Sequence, residues 1–382
     1  MASGAAWWTL SQAVRFVRHG AFEATDKSQP DNPRFGFEFK SVLKPSVRPV
    51  GAARIIRGRR SWHTFAVSGT AYENTIGEEI VVSFRLRPLG APANEMYTLL
   101  AFRGPPPDTS RPSFPIRAAF YYGWYPTYWD ESPYRPSARY TPSLGEYSSD
   151  DAKVIHAHIQ ALLYGKFQSG IYSWWGVGAH PDTDRLLSTY LLAARSTPFR
   201  WTIYYEKEGY GDPSVDEIRS DLVYIRDHYA KSPAFLRING RFVVFVYSVA
   251  ESSCAVTQRW RDANQSIDAY IVMGEWRGAF FGCPTEPDAW HYYVPVRSDF
   301  AGPQSYSISP GFNFVGDPAA RLDRDLNRWR QSIRNMLASH APWQLVTTFN
   351  EWGEGTAVES AKQWETSSGF GDYLDALHND GQ

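Results

Sequence analysis

The sequence predicts an α/β protein, a (β/α)8 barrel of the TIM type preceded by a small β-rich N-terminal domain. Three observations predict it. Strand-like and helix-like segments alternate from Ile116 to the C-terminus, eight apolar strand candidates can be counted there, and that stretch has the usual length of such a barrel. An open dinucleotide-binding sheet would need a Gly-rich turn after its first strand. Here the first strand runs into Gly123-Trp-Tyr-Pro-Thr-Tyr-Trp, a turn that no pyrophosphate requires.

In chain order, residues 1–113 carry Pro/Gly/Arg-rich stretches and alternating segments such as Ile80-Val-Val-Ser-Phe-Arg-Leu, which predict short strands. The run Gly104-Pro-Pro-Pro-Asp-Thr-Ser-Arg-Pro-Ser cannot continue a strand or a helix through its prolines, so it reads as a linker and places the boundary near Ser113. Residues 114–382 then form the barrel. Its strands are predicted at 118–122, 169–174, 200–205, 242–247, 270–273, 291–294, 304–308 and 343–349, the sixth and seventh being weak patterns. Helices are predicted after Ser149 and over 183–195, 214–229, 255–263 and 322–337. In the last, Leu322, Leu326, Trp329, Ile333 and Met336 recur at steps that line one helix face. The N-terminal segment contains Trp7, Trp8 and Trp62 and suits either an accessory sugar-binding module or a structural cap, with the cap favoured.

Charge excludes some partners. Lys+Arg 39 against Asp+Glu 40 gives a net charge of -1, too little field to gather nucleic acid or an anionic membrane surface. No apolar run is long enough to span a bilayer. Aromatic residues are the outlier, with 15 Trp, 23 Tyr and 22 Phe, and flat rings at a surface stack on sugar faces. Cys254 and Cys283 fit no metal or redox spacing; they are either one disulfide or two buried thiols. The start, Met1-Ala-Ser-Gly-Ala-Ala-Trp-Trp, has no secretory leader pattern; either the protein is cytoplasmic or its leader precedes this sequence, and the favoured expectation is a secreted, periplasmic or cell-surface protein.

In a barrel the site forms at the carboxyl ends of the strands, so residues just past each strand carry the functional weight. Those ends supply Tyr122, Trp124 and Tyr125, then Trp174 and Trp175, then Tyr205 and Glu206, then Tyr247, then Glu275 and Trp276, and finally Asn350, Glu351, Trp352 and Glu354. Rings beside carboxylates suit a cleft that grips a glycan and moves protons on it. Glu351 and Glu354, in a Gly-punctuated loop after the last strand, are the expected catalytic pair, because two neighbouring carboxyls push each other's pKa values apart. Glu206 either binds substrate or pairs with Lys207, and His156 and His158 read as ordinary helix residues.

Phe120-Tyr-Tyr-Gly-Trp-Tyr, Pro142-Ser-Leu-Gly-Glu-Tyr-Ser-Ser-Asp, Trp174-Trp-Gly and Phe349-Asn-Glu-Trp-Gly-Glu-Gly-Thr-Ala-Val-Glu, in that order, resemble glycoside hydrolase family 99, the endo-α-mannosidases and endo-α-mannanases. The resemblance runs from about Arg117 to the end. It implies a barrel enzyme without metal or cofactor, cleaving α-mannosidic linkages with retention through a 1,2-anhydro sugar. Glu351 would be the base on the 2-hydroxyl and Glu354 the general acid and base. It also implies substrate contacts from Trp174 or Trp175, Glu206 and Tyr247 and a glycan substrate; separately, a monomer is expected. Gly123 and Gly353 depart from the family pattern, where many relatives have proline and histidine. Two other readings stay open: a related hydrolase acting on another bacterial polysaccharide, and a glycan-binding protein that does no chemistry.

Overall fold

The computed structural model describes residues 108–177, 181–247, 253–275 and 282–382, together with the backbone of eight strands between Trp7 and Arg103. The chain divides into two compact units, Met1–Pro106 and Pro107–Gln382. In the first, the strands form two four-stranded antiparallel sheets. The side chains of Trp7, Trp8 and Trp62 lie outside the described residues.

The second unit is the barrel. Its strands are β1 (Ile116–Tyr121), β2 (Ser169–Trp174), β3 (Arg200–Tyr205), β4 (Arg241–Val246), β5 (Tyr270–Gly274), β6 (Ala289–His291), β7 (Ser305–Ile308) and β8 (Trp343–Val346). Parallel ladders join β1 to β2 and each following strand as far as β6, then β7 to β8 and β8 back to β1. At the remaining seam side chains make the link: Trp290 N–H donates to Gln304 Oε1 at 2.8 Å, and Ser307 Oγ donates to the Tyr292 carbonyl at 2.6 Å. Near-continuous apolar strands are what a sheet covered on both faces requires.

Alternation along the strands sorts the side chains into two cores. Ile116, Ala118, Phe120 and Tyr122, with Ile171, Tyr204, Val243, Phe245, Val272, Ala289, Trp343 and Leu345, fill the barrel. Their neighbours Tyr121, Tyr172, Trp174, Trp201, Ile203, Tyr205 and Val244 face outward, under the helices.

Five helices cover that outer layer: α1 (Ala152–Tyr164), α2 (Pro181–Ala193), α3 (Val215–His228), α4 (Cys254–Asn264) and α5 (Leu326–Ala338); a further α6 (Asp372–His378) was not expected from the sequence. Their starts are chemically specified. Asp151 accepts from Lys153 N–H, and Ser214 and Glu217 form a capping box. The predicted start of α5 is corrected: Asp325 caps the helix through Arg328 N–H at 2.8 Å, and Leu322 lies outside it, its carbonyl bonded to Phe312 N–H at 2.7 Å. Cys254 and Cys283 form a disulfide that ties the start of α4 to the segment before β6. Among the described residues no helix is long and apolar enough to cross a membrane.

Candidate active site

The loop after β8 is held from three sides. Asn350 clamps the end of β1 at two points, accepting from Tyr122 N–H and donating to the Tyr122 carbonyl, each at 2.9 Å. The Tyr125 hydroxyl donates to the Asn350 carbonyl at 2.7 Å, and Glu351 N–H donates to Thr348 Oγ1 at 2.8 Å. Behind the loop, the buried Arg324 guanidinium donates to the carbonyls of Gly355 and Ala357 and lies over the rings of Tyr140, Trp364 and Tyr373.

Below it, Glu359 accepts from Tyr147 Oη at 2.8 Å and Trp352 Nε1 at 3.2 Å, and pairs with His158 Nε2 at 3.1 Å. The other His158 nitrogen meets the Tyr121 hydroxyl at 2.7 Å. His158 is therefore no ordinary helix residue: it sits on the face of α1 that carries Ile155, Ile159 and Leu162 into the core.

These supports place Glu351 and Glu354 in the mouth of the barrel with a third carboxylate. Burial, reinforced by the charge of Glu354, holds the Glu351 carboxyl well above the usual range, and the backbone N–H groups of Gly353 and Glu354 offset this only in part. Burial raises Glu354 to about 7, against the Tyr293 hydroxyl, which donates to its Oε2 at 2.9 Å, and the charge of Arg321. Two such carboxyls resist double ionisation, so their protons leave as a coupled pair.

Glu206, following β3, is raised to about 8 by burial, while Ser173 Oγ donates to it at 2.7 Å. The neighbouring Lys207 instead pairs with Asp221 at 2.7 Å. Tyr122 feels all three carboxylates, and its hydroxyl donates to that of Tyr293 at 3.0 Å, which leads on to Glu354.

The rings around these acids are Tyr122, Trp124, Trp175, Tyr247 and, beyond the sequence expectation, Tyr128, Tyr204, Tyr210 and Tyr293. Tyr122 and Trp124 have centroids 4.6 Å apart, and Trp175 and Tyr210 4.7 Å. Buried polar atoms at this mouth that have no hydrogen-bond partner among the described residues include Glu351 Oε2, the Tyr204 hydroxyl and Trp124 Nε1.

Other expected contacts do not reach the mouth. Trp174 is wholly buried under α2, its Nε1 donating to Asp184 at 2.7 Å. Tyr205 is buried against Asp221 at 2.8 Å, and Glu275 is buried on the outward parity of β5. Trp352 is buried on Glu359, and Tyr125 and Asn350 brace the loop rather than line the cleft. Trp276 lies outside the described residues. Among the described residues no group of His, Cys, Asp or Glu is arranged to hold a metal ion.

Residues 125–333, more than half the chain, match the family model for glycosyl hydrolase family 99. The chain belongs to glycosyl hydrolase family 99. It is a glycosidase, and the matched segment spans β2 to β7 of the barrel. The glycoprotein endo-α-1,2-mannosidase of Xenopus laevis is 24% identical over 359 residues, covering 75% of this chain and 78% of that protein. That of Rattus norvegicus is 24% identical over 328 residues, covering 67% and 70%. In structure, the family 99 endo-α-mannosidase from Bacteroides thetaiotaomicron, solved with Bis-Tris propane, aligns with a TM-score of 0.55 at 21% identity, over 69% of this chain and 95% of that one. This likeness establishes the shared (β/α)8 barrel.

Proposed function

We propose that this family 99 enzyme cleaves α-mannosidic linkages inside a glycan or polysaccharide and retains the anomeric configuration. The observation that carries the reading is the pair Glu351 and Glu354, buried together after β8 where both cannot readily be ionised at once, so one proton stays on the pair and the reaction proceeds from the form that carries it on Glu354. The relatives of known activity support the substrate class. In an α-mannoside the axial 2-hydroxyl lies opposite the leaving group. Glu351 takes its proton, the freed oxygen attacks the anomeric carbon, and the glycosidic bond breaks as Glu354 gives its proton to the departing oxygen. Glu354 then takes a proton from water; that oxygen attacks the anomeric carbon, the three-membered ring opens, and Glu351 returns its proton to the 2-oxygen. No covalent bond to the protein forms, so the carboxylate separations that distinguish the two common glycosidase mechanisms do not apply.

Within this reading Tyr293 holds Glu354 in place, Glu206 is a protonated donor to a sugar hydroxyl near neutral pH, and Trp124, Trp175 and Tyr247 line the sugar path. Catalysis resides in residues 114–382. The disulfide fits an oxidising compartment and supports export of the enzyme.

The experiment is digestion of defined linear α-manno-oligosaccharides and bacterial polysaccharides, with products sized by mass spectrometry and their first-formed anomer read by NMR. Internal cleavage to α-configured products is expected. Release of single terminal sugars, or of β-configured products, contradicts the reading.

A further inference from the structure

Gly353 sits between the two glutamates, and its backbone does not account for the absence of a side chain. Gly355, two residues on, has φ of +66°, a left-handed conformation that favours glycine, whereas Gly353 is not among the positive-φ glycines. Space explains it instead. A Cβ built on Gly353 would run into the Tyr128 hydroxyl, with the Tyr128 Cζ only 2.6 Å away and Glu351 Oε1 at 3.3 Å.

The Tyr128 ring therefore occupies the volume over residue 353, within reach of the Glu351 carboxyl. It projects from a short helix, Thr127–Glu131, and is half-buried. It lies nearly parallel to Trp124, 21° between planes at 6.1 Å, and stands edge-on to Tyr125 and Trp129. Its hydroxyl donates a long bond, 3.3 Å, to the Ser137 carbonyl and also meets the Ser132 side chain, while the ring is held by packing. The charges of Glu351 and Glu354 both act on it.

We infer that Tyr128 is a specificity-determining residue, forming the wall of the sugar subsite at the point of cleavage, and that Gly353 is the residue that admits it. The inference rests on the catalytic reading of Glu351 and Glu354. A flat ring beside the scissile bond accepts a sugar face and refuses bulk at that place, so the Tyr128–Gly353 pair selects which linkage lies correctly between the two acids.

The test is a mutant cycle of Tyr128→Ala, Gly353→Ala and the double variant. The readout is the ratio of kcat/KM on α-1,2- and α-1,6-linked manno-oligosaccharides, with thermal midpoints alongside. Each single variant is expected to change that ratio roughly tenfold. The double variant should match the singles rather than multiply them, because the methyl group and the truncation remove the same wall. Tyr128→Phe keeps the ring and should keep the ratio, and it remains informative if Tyr128→Ala does not fold. An unchanged ratio in Gly353→Ala, or multiplicative effects in the double variant, overturns the inference. Glu354→Gln in the same series separates the two levels: retained turnover there overturns the catalytic reading, whereas loss of turnover beside an unchanged Gly353→Ala overturns the Tyr128 assignment alone.

Discussion

The Tyr293 hydroxyl donates a 2.9 Å hydrogen bond to Oε2 of Glu354, and Tyr122 donates in turn to Tyr293 at 3.0 Å. This chain runs from the end of β1, across the mouth of the barrel, to the carboxyl assigned as general acid.

A hydrogen bond donated to a carboxylate favours its ionised form, so Tyr293 holds the Glu354 pKa down against burial. Tyr293→Phe removes that effect. The alkaline limb of the kcat/KM profile should move upward by about half a unit to one unit, with the rate falling roughly tenfold as Glu354 loses its orientation. A pH–rate profile of the variant checks both, and a limb that stays in place or moves down contradicts the role.

Glu206 gives a stability prediction with a definite sign. Its folded-state pKa is raised from 4.5 to about 8, so between these values the folded protein keeps a proton that the unfolded chain has released. Stability attributable to this group therefore falls as pH rises through that window, and the whole penalty is present above it. Glu206→Gln should leave stability near pH 4 unchanged and raise it at pH 8 by on the order of 2–4 kcal/mol. Urea unfolding at the two pH values measures the difference, and a stabilisation confined to low pH would reverse the account.

Glu359 satisfies three buried groups at once, His158, Tyr147 and the Trp352 indole. Glu359→Ala leaves His158 and Tyr147 without that acceptor and the Trp352 indole with only the Tyr147 hydroxyl, which should cost about 3–5 kcal/mol of stability. Activity should fall as well, because Trp352 lies in the catalytic loop. Chemical denaturation at neutral pH checks it; a loss below about 1 kcal/mol, the scale of a surface pair, contradicts the supporting role.

Much of this architecture was legible in the chain. The apolar runs marked every barrel strand to within a few residues, and the second and third lie at the predicted 169–174 and 200–205. The finer errors trace to strand parity. Side chains alternate across a strand, so Phe120 and Tyr122 enter the barrel while Tyr121 leaves it, and Tyr204 and Glu206 face the mouth while Tyr205 faces α3. Reading every polar or aromatic residue near a strand end as lining the cleft thus gathered Trp174, Tyr205 and Glu275, which face outward. Tyr293 escaped notice because the weak sixth strand was expected at 291–294; with β6 ending at His291, Tyr293 continues the inward row of Ala289 and His291. His158 carried a readable signal, its spacing from Ile155, Ile159 and Leu162, that composition alone obscured. Tyr128 had none, since its place depends on how a short helix folds over Gly353.

The central claim is that Glu351 and Glu354 act on one glycosidic bond as base and acid. The direct measurement compares Glu351→Gln and Glu354→Gln on an unactivated manno-oligosaccharide and on an α-mannobiosyl fluoride, whose leaving group needs no proton. Glu354→Gln should lose cleavage of the oligosaccharide by about 10²–10⁴-fold yet still consume the fluoride, while Glu351→Gln should be slow on both, because the 2-hydroxyl must still be deprotonated. Native turnover of the oligosaccharide by Glu354→Gln, or of the fluoride by Glu351→Gln, would contradict the account.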